Sequence, residues 1–155
     1  MTNGSNAFLI DSNVLVYVYD PRDRSKQDVA AFVLDRLIHQ GRAALSVQCL
    51  TEFFNATTRK LPERLSPADA LVRVTRLVSS CRILDLTPAI VLEGCRGAMS
   101  HSLSIWDALI WATAKLNQVP YVLTEDLQHG LLLEGVRIQN PFVREFDLAL
   151  LEPGG

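Results

Sequence analysis

Ala7-Phe-Leu-Ile-Asp11 is an apolar run that stops at a carboxylate, and Ser12-Asn13-Val-Leu-Val-Tyr-Val-Tyr-Asp20 then begins a second apolar run. Four consecutive apolar residues before Asp11 are typical of a strand buried on both faces of a parallel sheet. Asp11 then falls at the carboxyl end of that strand, where open α/β sheets bind their ligands. Asp and Asn are also common in turns and helix caps, so this stretch alone leaves a cap and a functional site equally open.

Strand and helix patterns alternate along the rest of the chain. Further strands are predicted at 42–46, 82–86, 120–124 and 136–139, and helices at 13–19, 25–40, 47–61, 67–80, 88–100 and 105–116. The buried stripes are predicted to be Val29, Phe32, Val33, Leu34 and Leu37 on the second helix, and Leu71, Val74, Leu77 and Val78 on the fourth. This alternation predicts an α/β fold with a parallel sheet of about five strands, covered by helices on both faces.

The composition indicates an ordered protein without a membrane or secretion signal. The chain has 155 residues, of which 48% are apolar, and a net charge of −2, which argues against global disorder and against unspecific coating of nucleic acid. No apolar run reaches the roughly 18 residues that span a membrane, and the amino end lacks a basic n-region. The three cysteines form no C-x-x-C pair, which favours a reducing cytosol. We expect one domain over 1–155, with an ordered core at 7–146 and a frayed end at 152–155.

Four acids from distant parts of the chain are predicted to meet at one edge of the sheet. In a parallel sheet, the amino ends of crossover helices lie at the same edge as the carboxyl ends of the strands. Asp11 ends the first strand, and Glu52 lies in the second turn of the helix after the second strand. Asp107 lies in the first turn of a later helix, and Asp126 follows Thr124 at the end of the fourth strand.

Asp107 and Asp126 also have a simpler interpretation. Ser104-x-x-Asp107 resembles a capping box, and Asp126 is able to cap a turn. The joint arrangement favours a metal site, because like charges at one rim repel unless a cation neutralises them. Carboxylates without nearby cysteine suit Mg²⁺ or Mn²⁺ rather than zinc. Whether His129 or Glu125 faces the site stays open.

The same residues resemble a known family. The similar segments are Asp11-Ser-Asn-Val-Leu, the Glu52 helix after Leu45-Ser46, Ser104-Ile-Trp-Asp107-Ala-Leu-Ile, Leu123-Thr-Glu-Asp126-Leu and the late Asn140-Pro-Phe142. They resemble the four acidic motifs of PIN-domain nucleases, most of all the toxin component of VapBC toxin–antitoxin systems. The resemblance runs from Phe8 to Phe142, with the acids in the order of the family. Ser12 stands where many relatives have threonine, which keeps the hydroxyl.

The resemblance implies a three-layer α/β/α sandwich in which Asp11, Glu52, Asp107 and Asp126 bind one or two Mg²⁺ or Mn²⁺ ions. Ser12, Asn13 and Thr124 would support these ligands by hydrogen bonds. It further implies a cytoplasmic endoribonuclease of a prokaryote that hydrolyses RNA phosphodiesters with metal-activated water. Such a protein would act as the toxin of a type II toxin–antitoxin system, form a homodimer and be inhibited by a VapB-type antitoxin.

Three other functions fit the sequence less well. A HAD-type phosphatase needs a second Asp two residues after the first, where this chain has Asn13. A phospho-acceptor receiver domain needs paired acids on its first strand and a lysine after its last strand, and neither is present. A PIN-like interaction or RNA-binding module without catalysis is the remaining alternative, and the four intact acids argue against it.

Basic residues are unevenly distributed and offer contacts for RNA phosphates. The first group is Arg59, Lys60, Arg64, Arg73, Arg76 and Arg82, and the second is Arg22, Arg24 and Lys26. Only two acids, Glu63 and Asp69, fall within the first group. These cations are expected to bind phosphates beside the metal site or to lie on a solvated helix surface.

Overall fold

The computed structural model describes residues 6–153, which form alternating strands and helices. In chain order these are β1 (Phe8–Ile10), α1 (Ser12–Tyr17), α2 (Arg24–His39), β2 (Ala43–Ser46), α3 (Val47–Arg59), α4 (Pro67–Ser80), β3 (Arg82–Leu84), α5 (Pro88–His101), α6 (Ile105–Leu116), β4 (Tyr121–Leu123), β5 (Leu132–Leu133) and β6 (Val136–Gln139). A 3₁₀ helix at Leu148–Leu151 follows. Within this part of the chain, no helix combines the length and the apolar character needed to cross a bilayer.

The strands form a single sheet in the spatial order β3-β2-β1-β4-β6-β5. All neighbours pair in parallel except β5, which is antiparallel to β6. The predicted parallel sheet is therefore confirmed, with β5 as a sixth strand that the sequence pattern did not predict. β5 has two residues, too few for a pattern, and it forms because Glu134 and Gly135 take φ values of 47° and 88° in a tight hairpin turn.

Two hydrophobic cores lie on opposite faces of the sheet. Phe8 and Ile10 of β1 point into a core shared with α1, α2 and α3, whereas Leu9 points into a core shared with α6. Successive side chains of a strand alternate between faces, so β1 contributes to both cores. This arrangement confirms the three-layer α/β/α sandwich expected from the sequence.

Helix α6 lies under the second core and is positioned by close contact with α5. Residues 108–114 of α6 are all buried. Gly97 faces Trp111 so closely that a Cβ at this position would overlap the indole ring. The Trp111 Nε1–H donates to the carbonyl of Leu133, at 3.1 Å, and so joins α6 to β5. Close packing therefore sets the position of α6, whose first turn carries Asp107.

Glu134 in the β5–β6 turn connects this hairpin to the two helices. Its carboxylate accepts hydrogen bonds from Arg96 Nη2 at 2.8 Å and from Lys115 Nζ at 3.2 Å. His101 Nε2, at the end of α5, lies 2.7 Å from the same carboxylate. Hydrogen bonds with His101, the largest cause, and with Arg96 lower the pKa of Glu134 to about 2.

The predicted buried stripes are wrong at several positions. Phe32 on α2 is exposed, and so are Leu71 and Val78 on α4. On α4 the fully buried residue is Ala70, and Val74 is only partly buried. The reason is that α4 packs against α3 rather than against the sheet, so only a narrow strip of it is covered.

The carboxyl-terminal 3₁₀ helix packs onto the body of the molecule. Leu151 is buried, and its carbonyl accepts a hydrogen bond from Gln40 Nε2 at 2.7 Å. Arg42 Nη2 donates to the carbonyl of Leu150 at 2.8 Å. Of the end predicted to fray, 152 and 153 are exposed, while 154 and 155 lie outside the described residues.

Candidate metal centre

Three carboxylates meet at the edge of the sheet where the parallel strands end. Asp11 follows β1 and caps α1, Asp107 lies in the first turn of α6, and Asp126 lies in the loop after β4. One carboxylate oxygen from each residue lies within 4.8 Å of the other two. The structure therefore brings together three of the four acids predicted from the sequence, across segments that are distant in the chain.

Glu52, the fourth predicted acid, lies beside this group and is joined to it by Ser12. Ser12 Oγ donates to Glu52 Oε2 at 2.7 Å and approaches Asp11 Oδ1 at 3.4 Å. Gln48, one helical turn earlier on α3, donates to Glu52 Oε1 at 2.8 Å. Glu52 is therefore held at the rim of the site, close enough for its charge to raise the pKa of both Asp11 and Asp107.

Asp11 is the most deeply buried of the acids, with 3% of its surface exposed. Burial raises its pKa from 3.8 to about 6, because the charged carboxylate loses contact with water. The charges of Asp126 and Glu52 act in the same direction. Hydrogen bonds from Thr124 Oγ1 and from the Ser12 amide, both at 2.7 Å, oppose the rise.

Asp107 is half-buried, and burial also raises the pKa of its carboxyl group. Asp126 and Glu52 add to this rise through their negative charges, and hydrogen bonding by Ser104 opposes it. The Asp107 amide donates to Ser104 Oγ at 3.1 Å, so Ser104 is the amino-terminal cap of α6. The cap and the acidic site are thus compatible: the main chain of Asp107 serves the helix, while its carboxylate joins the acidic group.

Asn13 and Thr124 fix the relative positions of Asp11 and Asp126. Asn13 Nδ2 donates to Asp126 Oδ2 at 3.0 Å and lies 3.3 Å from Asp11 Oδ2. Thr124 Oγ1 accepts from the Asp126 amide at 3.1 Å and donates to Asp11 Oδ2. Within residues 6–153, Asn13 Oδ1 is the one buried side-chain oxygen or nitrogen without a hydrogen-bond partner.

The donor chemistry of this site fits a hard divalent cation. Three carboxylate oxygens within 4.8 Å repel one another, and a bound cation relieves that repulsion. Oxygen-only ligands are those that Mg²⁺ and Mn²⁺ prefer. His129 is turned away, since its Nδ1 accepts from the Asn140 amide at 3.0 Å. Glu125 is occupied by Tyr17 Oη at 2.6 Å and Lys26 Nζ at 2.9 Å.

A cleft of about 760 Å³ opens beside the acids. Its lining includes Ser12, Asn13, Tyr17, Arg22, Glu52, Lys60, Trp106 and Glu125. Arg22 and Lys60 belong to the two basic groups noted in the sequence, and they are the members placed in this lining. Arg22 forms an ion pair with Asp20 at 2.7 Å, and Lys26 forms one with Glu125 at 2.9 Å. Part of the positive charge of the second basic group is therefore neutralised.

Two residues of the site, Gln48 and Trp106, were not predicted from the sequence. Gln48 is four positions before Glu52, and this helical spacing is a signal that the two side chains share a face. Trp106 directly precedes Asp107, but the exposure of its side chain cannot be predicted from a single apolar residue in the sequence. Both residues line or support the cleft beside the acids.

The family model of the PIN domain matches residues 8–130 of this chain. Among proteins of curated function, none matches the sequence.

Several solved structures share the fold at low sequence identity. A toxin–antitoxin complex from Klebsiella pneumoniae is 18% identical, with a TM-score of 0.64 over 87% of this chain and 97% of that one. VapC20 of Mycobacterium tuberculosis, a toxin that cleaves the sarcin–ricin loop, is 15% identical, with a TM-score of 0.57 over 75% of this chain and 87% of that one. DNA-bound VapBC from Salmonella typhimurium is 18% identical, with a TM-score of 0.60 over 87% and 98% of the two chains.

Proposed function

The chain belongs to the PIN domain family, and from this premise we propose that it is a Mg²⁺- or Mn²⁺-dependent endoribonuclease, the toxin of a type II toxin–antitoxin pair. The observation that carries the proposal is the convergence of Asp11, Asp107 and Asp126 oxygens within 4.8 Å at the edge of the sheet. In this proposal Glu52 completes the acidic site from its rim, and one or two ions bind there.

The proposed reaction is the hydrolysis of an RNA phosphodiester bond. A bound divalent cation supplies charge for the phosphate and lowers the pKa of a coordinated water. The chain contributes the positions of the ligands. Thr124 and the Ser12 amide hold Asp11, Asn13 holds Asp126, and Ser12 Oγ holds Glu52. Such supporting hydrogen bonds fix the orientation of carboxylates that ligate a metal.

Arg22 and Lys60 bind the substrate in this proposal. Both line the cleft beside the acids, and their charges suit phosphate groups of an RNA strand. Arg22 keeps 61% of its side chain exposed although it pairs with Asp20, so it remains accessible to a phosphate. Contacts of this kind position the strand without reading its sequence.

The proposed partner is a VapB-type antitoxin. The neighbours in Klebsiella and Salmonella are toxin–antitoxin assemblies, the second bound to DNA, and the Mycobacterium toxin cleaves the sarcin–ricin loop. By analogy, we propose a homodimer whose activity an antitoxin blocks. We also propose a cytoplasmic location, because Cys49, Cys81 and Cys95 form no C-x-x-C pair in the sequence.

Cleavage of RNA by matched variants tests the proposal. The protein should release fragments from RNA in Mg²⁺ or Mn²⁺, and EDTA should abolish the release. Asp107→Asn should reduce the rate by more than the roughly 10–100-fold that loss of a supporting hydrogen bond costs. Asp69→Asn is the matched control, because Asp69 has the same Ser-x-x-Asp position in the first turn of α4, away from the cleft.

Equal rates for Asp107→Asn and the parent protein would contradict the metal site, and cleavage that survives EDTA would contradict the role of the ion. In cells, induction should arrest growth, and Asp11→Asn should relieve the arrest. Arrest that persists with Asp11→Asn would count against a toxic nuclease.

A further inference from the structure

Trp106 is a large aromatic side chain exposed inside the candidate cleft. It is 64% exposed, lies in the first turn of α6 directly before Asp107, and lines the cleft with Glu52 and Lys60. Within the described part of the chain, its indole makes no hydrogen bond or ring contact. Trp111, the other tryptophan of the sequence, is in contrast fully buried.

The main chain at Trp106 is fixed by the same residue that holds one of the acids. Gln48 Nε2 donates to the Trp106 carbonyl at 3.3 Å and to Glu52 Oε1 at 2.8 Å. The indole is therefore carried by a helix that is braced against α3, not by a loose loop. A tryptophan held in place and left in water retains a large apolar face for a ligand.

The residues around Trp106 indicate which kind of ligand would bind there. The cleft that Trp106 lines also offers cations at Arg22 and Lys60, and the acidic site lies beside it, so phosphate-binding groups share the cleft with the indole. Unpaired bases of single-stranded RNA stack on aromatic side chains, whereas the bases of a duplex are already stacked. An aromatic face beside phosphate-binding groups is thus suited to a splayed base.

We propose that Trp106 stacks on an unpaired base next to the phosphate that is cleaved, and that it thereby positions the strand in the cleft. The inference rests on the ribonuclease function proposed above and adds to it the residue that positions the base. Trp106 binds and orients the strand in this proposal, while the acids carry out the reaction.

Fluorescence provides a direct test, since Trp111 is buried and a change on binding reports Trp106. The experiment uses the Asp11→Asn protein, in which the proposed cleavage is abolished. Addition of oligouridine should quench the emission. An abasic strand of equal length, and oligouridine annealed to oligoadenosine, should not. The Asp11→Asn/Trp106→Phe protein should bind oligouridine but show no quenching.

Binding and kinetics separate stacking from a general effect on the fold. Trp106→Ala should weaken oligouridine binding about tenfold, or about 1.4 kcal/mol, and leave binding of the abasic strand unchanged. Trp106→Phe, which keeps an aromatic face, should restore most of the affinity. With cleavable RNA, Trp106→Ala should raise KM and leave kcat close to that of the parent protein. Leu116→Ala, an exposed apolar site at the other end of α6, is the control and should change neither.

Several outcomes would overturn the inference, and they differ from those that overturn the proposed function. If the parent protein is active and the Trp106→Ala variant binds and cleaves RNA equally well, the stacking inference is wrong, but the proposed function stands. Equal quenching by the abasic strand assigns the signal to phosphate contacts. Emission that changes with protein concentration in the absence of RNA places Trp106 in a contact between copies of the chain. A parent protein that neither binds nor cleaves RNA refutes both the function and the stacking.

Discussion

Asp11 caps a helix and belongs to the acidic site, and these two roles have opposite effects on the charge of its carboxylate. Its carboxylate caps α1 through the Ser12 amide, which favours the charged form, and its burial disfavours that form. Burial is the larger effect, so the pKa rises to about 6. Ser46 and Ser66 cap other helices of this chain without carrying a charge. A cation bound at the proposed site would compensate the cost of burying the Asp11 charge.

This pKa predicts how stability depends on pH in the metal-free protein. The native state binds the Asp11 proton up to about pH 6, whereas the unfolded state releases it near 3.8. Between these values the native state holds more protons, so the free energy of unfolding falls as pH rises. We expect Asp11→Asn to lose this slope and to be more stable than the parent at about pH 8, by on the order of 1–3 kcal/mol.

Urea unfolding in EDTA at about pH 4 and about pH 8 measures this effect. The two proteins should differ least at the lower pH, where Asp11 is protonated in the native state. Parallel pH profiles for parent and variant would show that Asp11 does not titrate as proposed.

At the level of elements, two helices begin with the same local sequence pattern and have different surroundings. Ser66-Pro-Ala-Asp69 starts α4 and Ser104-Ile-Trp-Asp107 starts α6, and in both the serine hydroxyl accepts the amide of the aspartate. Only α6 runs beneath the sheet, with its first turn beside Asp11 and Asp126. The capping pattern therefore predicts where a helix starts but does not show which carboxylate enters a site.

The packing of α5 against α6 gives a prediction about two glycines of one helix. Gly97→Ala places a methyl group in the ring of Trp111, so we expect a loss of stability of about 1–3 kcal/mol. Gly94→Ala meets the movable end of Leu109, at 2.9 Å from Cδ2, and the gain in helix propensity of about 1 kcal/mol offsets that contact.

Chemical denaturation of the two variants compares these effects, with Gly94→Ala as the control for helix propensity. Equal stability of the two variants would mean that α6 moves to admit the methyl group. In that case the position of Asp107 would be less rigid than the packing of α5 on α6 indicates.

At the level of the whole molecule, the acidic group of the candidate metal centre forms only when the sheet is assembled. Asp11, Asp107 and Asp126 come from three elements, and no two of them are close enough in sequence to form a site locally. A cation should therefore bind the native state and not the unfolded chain. Binding of this kind stabilises the fold by mass action.

We therefore expect Mn²⁺ to raise the melting temperature of the parent protein. At about 100 times its dissociation constant, the ion should add about 2.7 kcal/mol of stability. Asp126→Asn should lose most of this gain. Asp85→Asn is the control, because Asp85 also follows a parallel strand at the same edge but lies outside the acidic group. Thermal scans with and without the ion measure the shift, and an equal shift in both variants would locate the ion elsewhere.

Local sequence patterns were enough to predict the order of strands and helices along the chain and the edge of the sheet where the acids lie. These features follow from local patterns: apolar runs, helix caps, and the rule that parallel strands end at one edge. They sufficed to place Asp11 after β1 and Asp107 at the start of α6.

Which side chains meet became clear from the three-dimensional structure. It grouped three acids and left Glu52 at their rim, linked Asn13 to Asp126 across the chain, and exposed Phe32 and Trp106. It also paired the two residues of β5 with β6. Each of these depends on contacts between segments that are distant in sequence, and their distances arise from the packing of helices on the sheet. No pattern within one segment contains that information.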